Sequence, residues 1–217
     1  MTIALVGMPG CGKSTIGRNL ARQLNWRHVD SDAEIEQQIG GSIRAYFEQH
    51  GEAAFREIEQ VVLQRLSQQP STVISTGGGA VLREANRQAL SANAQVVYLR
   101  STPEELFRRL RHDTQRPLLQ VRDPLRRLRE LFQERDPLYR QAARFVIETG
   151  RPSVPMLVNM ILMQLELAGV IDASAVPSTI GRVPPGEHGG GPGAGHGGGQ
   201  SGERSGGPGG GLGGTPA

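Results

Sequence analysis

The run Gly7-Met8-Pro9-Gly10-Cys11-Gly12-Lys13-Ser14 fits G-x-x-x-x-G-K-[ST] at every defined position. A loop of this kind wraps an anion. Consecutive backbone N–H groups curl around it, and glycines supply conformations closed to other residues. The helix that follows aims its N-terminal donors at the same phosphate. Lys13 then neutralises β- and γ-phosphates, and the Ser14 hydroxyl ligates Mg²⁺. Composition isolates that lysine: of 24 basic residues, 23 are arginine and Lys13 is the only lysine. A compact point charge is the role for which lysine is preferred over arginine. Gly10, Cys11, Gly12, Lys13, Ser14 and Thr15 are therefore the first nucleotide-binding candidates. Cys11, the sole cysteine, reads as a small residue tolerated in the loop, with a thiol activated by the helix N-terminus as the alternative.

Other chemistry-bearing groups recur down the chain. In Asp30-Ser31-Asp32 two carboxylates stand one residue apart and can serve two targets: Asp30 the Mg²⁺ shell through water, Asp32 a hydroxyl that attacks. The competing reading is that one of them merely caps the next helix. Arg56 and Glu59 lie three apart and can pair on one helical face. Gly77-Gly78-Gly79 is a costly run unless backbone must approach something closely. Eleven arginines fall between Arg108 and Arg144, most of them on a solvated face.

The elements that must position these groups follow from periodicity. Short apolar runs predict strands at Thr2–Val6, Arg27–Val29, Thr72–Ser75, Gln95–Leu99 and Phe145–Glu148. Helical spacing predicts helices over Ser14–Leu24, one after Asp32 with Ile35 and Ile39 that Gly40-Gly41 breaks, a short one capped by Ser42, Glu52–Leu66, Arg83–Leu90, one opening at Thr102-Pro103, Leu125–Tyr139, and one from Ser153 to Leu167. Residues 113–122 read as irregular. Alternation of strand and helix predicts an α/β fold with a parallel sheet covered on both faces.

Four features in this order resemble the shikimate kinase family: Asp30-Ser31-Asp32, Phe55-Arg56-x-x-Glu59, Gly77-Gly78-Gly79 and Arg135-x-Pro137-x-Tyr139. The resemblance spans about residues 1–168. It implies a P-loop NTPase-like three-layer sandwich of the nucleoside monophosphate kinase type, with a five-stranded parallel sheet and a mobile lid near residues 112–124. It further implies ATP-dependent phosphorylation of the shikimate 3-hydroxyl, with Mg²⁺, in aromatic amino acid biosynthesis. By that resemblance Asp32 binds the substrate hydroxyl and can act as its base. Arg56, oriented by Glu59, and Arg135 hold the substrate carboxylate, and Gly78 offers backbone. Arg116, before Pro117-Leu118-Leu119, is the lid arginine. Arg109 stacks near adenine, and Arg151, one residue out of the family's register, is placed there too. A monomer is implied.

Residues 181–217 hold 18 of the 30 glycines and almost no large apolar residue, so a kinase domain at 1–172 followed by a disordered tail at 173–217 is expected. One cysteine permits no intrachain disulfide, and no signal h-region or membrane-length apolar run is read, which together predict a cytoplasmic protein with no membrane partner. A net charge of +3 and 4% aromatics argue against nucleic acid as a partner. The five histidines show no metal-ligand spacing. Two alternatives remain at this stage: another small-molecule or nucleoside monophosphate kinase, and a non-catalytic nucleotide-binding module.

Overall fold

A computed structural model describes residues 1–111 and 121–172. Its elements run β1 (Thr2–Val6), α1 (Lys13–Leu24), β2 (Arg27–Asp30), α2 (Ser31–Ile39), α3 (Ile43–Ser67), β3 (Thr72–Ser75), α4 (Glu84–Asn93), β4 (Ala94–Arg100), α5 (Pro103–Leu110), α6 (Pro124–Ala142), β5 (Phe145–Glu148) and α7 (Val154–Leu167). The strands form one parallel sheet in the order β2-β3-β1-β4-β5. Every residue of β1 and of β3 is buried, as strands covered on both faces must be. Helix α1 packs on α7, while α4 packs on both α3 and α6. This is the expected α/β architecture. Ile3, Leu5, Val97 and Leu99 on the central strands are fully buried at its core.

The chain leaves β1 to build β2 and β3 on one side, then crosses to β4 and β5 on the other. Open α/β sheets bind ligands in the crevice that such a reversal leaves beyond the strand C-termini. The glycine loop after β1, the aspartates at the end of β2 and the triple glycine after β3 all open on that edge.

Boundaries differ from the periodicity in informative ways. Strand β2 runs on to Asp30, which is also the N-cap of α2: its carboxylate accepts the Asp32 N–H at 3.1 Å. Helix α3 is continuous in extent, yet Gly51 breaks it with φ 78° and ψ 174°, so the two helices expected there abut at a kink. Helix α6 extends from Pro124 to Ala142, longer than expected at both ends, because Asp123 caps it by accepting the Arg126 N–H and Pro124 sits in the first turn, where no N–H is needed. The expected lid falls mostly outside the described residues; of it, Asp123 and Pro124 belong to this helix start. The expected tail at 173–217 also lies outside them.

Candidate active site

The loop after β1 closes over its own lysine. The buried Lys13 Nζ donates to the carbonyls of Gly7 at 2.9 Å and Met8 at 3.0 Å, which bends the loop into a ring. Gly10 and Gly12 hold φ of 83° and 100°, a left-handed region where other residues are strained. A Cβ on Gly10 would also lie 2.6 Å from the Leu110 side chain. Cys11 is buried beneath the ring, its sulfur 3.8 Å from Lys13 Nζ, so the thiol is a packing group there.

Ser14 Oγ donates to Asp30 Oδ2 at 2.7 Å. Asp30 thus caps α2 with one oxygen, the competing reading from sequence, while its other oxygen meets Ser14. That hydroxyl and carboxylate form a hard-oxygen pair at the mouth of the phosphate loop, the donor type that suits Mg²⁺. Among the described residues no cluster of three or more His, Cys, Asp or Glu could hold a metal. A Mg²⁺ here fits the mode in which one or two protein oxygens share the ion with phosphates and water.

Asp32 stands across the cleft. Its carboxyl pKa is pushed up to about 6, first by burial and then by the negative charges of Asp30, Glu59 and Glu36, with Lys13 pulling against them. Gly77 backs directly onto it: a Cβ there would sit 2.5 Å from Asp32 Oδ1. The neighbouring Ser31 Oγ accepts the Gly77 N–H at 3.0 Å and ties the two turns together.

The triple glycine is required by close approach rather than by backbone angle, for none of the three has positive φ. A Cβ on Gly78 would meet the Pro9 ring at 2.6 Å, and one on Gly79 would meet an Arg56 guanidinium nitrogen at 2.6 Å. Two groups of α6 clasp the turn from the other side. Arg135 Nη1 donates to the Gly78 carbonyl at 3.2 Å, and Tyr139 Oη donates to the same oxygen at 2.5 Å. Tyr139 is fully buried and stacks on Tyr98 with ring centroids 4.9 Å apart.

Arg56 is held by Glu59 at 2.7 Å and by Glu52 at 3.0 Å. Burial alone would lower its pKa, but these hydrogen-bonded carboxylates outweigh that and raise it. Glu59 is only 2% exposed; burial pushes its carboxyl upward while Arg56, Arg83 and Arg135 pull against it. Arg56 abuts Gly79 and Arg135 reaches the Gly78 carbonyl, so two guanidiniums flank the glycine turn. Arg83 was not singled out from sequence, where it reads as one more helix-terminal arginine.

A cleft of about 670 Å³ gathers most of the expected residues: Gly10, Gly12, Lys13, Ser14, Thr15, Asp30, Asp32, Gly78 and Arg109 all line it. Arg18, Thr76 and Leu110 line it too and were not anticipated. Arg109 donates from one guanidinium nitrogen to the carbonyls of Thr149 and Gly150, which seats it at the cleft's outer end against the loop after β5. Arg151, on that loop, is exposed and does not line the cleft. Arg116 lies outside the described residues.

Comparisons with known proteins bear on the family of the chain. The shikimate kinase family model matches residues 9–166. The shikimate kinase of Paracidovorax citrulli is 56% identical over 173 residues, covering 78% of this chain and 94% of that protein. That of Burkholderia lata is 56% identical, covering 78% and 92%. Among solved structures, shikimate kinase from Acinetobacter baumannii in complex with shikimate superposes with a TM-score of 0.72 at 44% identity, covering 77% of this chain and 93% of that one. Family match, relatives and geometry converge, and the chain belongs to the shikimate kinase family.

Proposed function

We propose that this chain transfers the γ-phosphoryl group of ATP to the 3-hydroxyl of shikimate, giving 3-phosphoshikimate and ADP on the route to chorismate and aromatic amino acids. The observation that carries this reading is the joining of two half-sites across one cleft. A phosphate loop with a buried lysine faces Asp32, and behind Asp32 stands a glycine turn gripped by Arg135 and abutted by Arg56. The two guanidiniums flanking that turn suit a carboxylate on the acceptor, which Arg56 and Arg135 would bind bidentately. A substrate anchored by that carboxylate presents a hydroxyl to Asp32, with the γ-phosphate beyond it.

The chemistry then asks mainly for position and charge. Gly10, Gly12, Ser14 and Thr15 line the phosphate side of the cleft and would cradle the phosphates with backbone N–H groups and the Ser14 hydroxyl, Cys11 lies buried behind them, and Arg109 borders the nucleotide. Lys13 meets the charge on the β- and γ-phosphates. Ser14 directly and Asp30 through water would hold Mg²⁺, which neutralises the phosphates and orients them. Asp32 accepts the hydrogen bond of the attacking hydroxyl, so the new O–P bond forms opposite the departing ADP oxygen. Gly78 lines the acceptor side with its backbone. Arg116 belongs to this reading as the lid arginine that closes over the transferred group. Arg151, outside the cleft in this structure, would reach the adenine only from the loop that also carries Thr149 and Gly150.

The kinase domain is assigned to residues 1–172, acting as a monomer in the cytoplasm. No described helix is long and apolar enough to cross a membrane.

Coupled ADP release with MgATP, measured with shikimate, AMP and gluconate in parallel, tests the reading. Turnover with shikimate alone supports it; turnover with AMP alone withdraws the substrate.

A further inference from the structure

Behind the phosphate loop lies a polar chain that the reaction does not use. Ser75, the last residue of β3 and only 1% exposed, donates its hydroxyl to the main-chain carbonyl of Lys13 at 3.0 Å. His28 of β2 reaches the same hydroxyl, with Nε2 3.0 Å from Ser75 Oγ. The direction of this chain is fixed by its far end. A serine hydroxyl has one proton, and here it goes to Lys13. Ser75 Oγ can then only accept from the imidazole, so Nε2 of His28 carries the hydrogen. Packing leaves the chain little freedom. A Cβ on Gly17 would sit 2.6 Å from Ser75 Oγ and 3.0 Å from His28 Nε2, so the glycine is what lets α1 come close enough to β2 and β3.

Lys13 is the first residue of α1. Its carbonyl already belongs to the helix ladder, and the carbonyl's second lone pair is what Ser75 takes. The first turn of α1 is also the turn whose N–H groups face the phosphates. Its Gly12 cap makes no side-chain hydrogen bond; Ser14 Oγ ties the turn to Asp30 at the end of β2, and Ser75 ties the Lys13 main chain to the end of β3.

We propose that His28 and Ser75 are positioning residues for nucleotide binding: His28 Nε2–H orients the Ser75 hydroxyl, and Ser75 pins the first turn of α1, and with it Lys13, to the end of β3. The relay acts on the nucleotide half of the site and leaves the acceptor half alone. It rests on the proposed function only in that the nucleotide is ATP. An imidazole with its hydrogen on Nε2 keeps the relay, and a leucine at this position removes that donor.

Ser75→Ala, His28→Leu, His28→Gln and the Ser75→Ala/His28→Leu double variant test this, with steady-state kinetics and calorimetric titration of MgADP on each. A hydrogen bond of ordinary strength predicts that Ser75→Ala and His28→Leu each raise KM for MgATP and Kd for MgADP about fivefold. KM for shikimate should stay within about twofold of wild type. Glutamine, whose amide also donates, restores the nucleotide affinity lost in His28→Leu. The double variant is no worse than Ser75→Ala, because His28 acts only through Ser75. Unchanged nucleotide affinity in Ser75→Ala, equal rises in both KM values, or additive losses in the double variant each overturn the relay. The MgADP titration reads the pin without chemistry. A wild type that binds MgADP but does not phosphorylate shikimate therefore sinks the substrate reading and leaves this test standing.

Discussion

Asp32 is the residue on which binding, proton and stability arguments meet. Its folded-state pKa of about 6 lies above the ordinary value of 3.8, and burial is the main cause. An ionised acceptor is needed for the attacking hydroxyl, so kcat/KM for shikimate should fall as pH drops through about 6, the limb that reports the free enzyme. Asp32→Asn removes that limb and, as loss of a positioned acceptor, lowers kcat about a hundredfold or more. The linkage to stability has the opposite look from that of a salt-bridged aspartate. A carboxyl whose pKa is raised on folding binds its proton more tightly when folded, so its contribution is most favourable below pH 3.8 and is lost as pH rises to about 6. Melting temperatures of wild type and Asp32→Asn should therefore converge toward pH 4 and diverge above pH 6, with the variant the more stable. A wild type that gains stability between pH 4 and 6 relative to the variant would show that Asp32 is paired rather than desolvated. Such a residue, favourable to chemistry and costly to the fold, is expected at a functional site.

At the scale of elements, the glycine turn after β3 shows what sequence can and cannot disclose. That Gly77-Gly78-Gly79 serves close approach was legible, because three successive glycines are hard to justify otherwise. The partners were not. Asp32, Pro9 and Arg56 come from three other segments, and their meeting depends on sheet order. The same limit hid the Ser31 bond to Gly77 and the Tyr139 bond to Gly78, which join residues 46 and 61 positions apart. Strands, the phosphate loop and the caps were legible because their causes are local: Thr102 with Glu105 forms the capping box its spacing announced. Ser75 could not be picked out, since in a run of Thr-Val-Ile-Ser it reads only as a strand end. The turn's geometry separates three substitutions. Gly77→Ala displaces the Asp32 carboxylate, and kcat should fall most. Gly79→Ala displaces the Arg56 guanidinium, so KM for shikimate should rise about tenfold while KM for MgATP holds. Gly78→Ala pushes on the Pro9 ring, which cannot swing aside, and should impair both halves. Three identical kinetic profiles would mean the turn responds as one loose unit.

At the scale of the whole molecule, the fold closes on itself by α7. Leu157, Val158, Ile161, Leu162 and Leu165 of that helix are buried against the body that includes α1, the helix carrying Lys13. The last core residue therefore precedes the glycine-rich composition that begins beyond Asp172, and the family match ends at residue 166. Residues 173–217 offer almost no apolar surface for a core, and nothing in the catalytic scheme calls on them. We therefore expect a chain ending at Asp172 to keep kcat and both KM values within about twofold of the full chain, with its melting temperature preserved. Ending the chain before Val154 is the contrasting case. It strips α7 from the core, exposes five buried aliphatic side chains' worth of packing, and should abolish cooperative unfolding together with activity. If the longer truncation product melts as the full chain does yet loses most of its turnover, the last 45 residues act on the site itself, and the catalytic unit is the whole chain rather than residues 1–172.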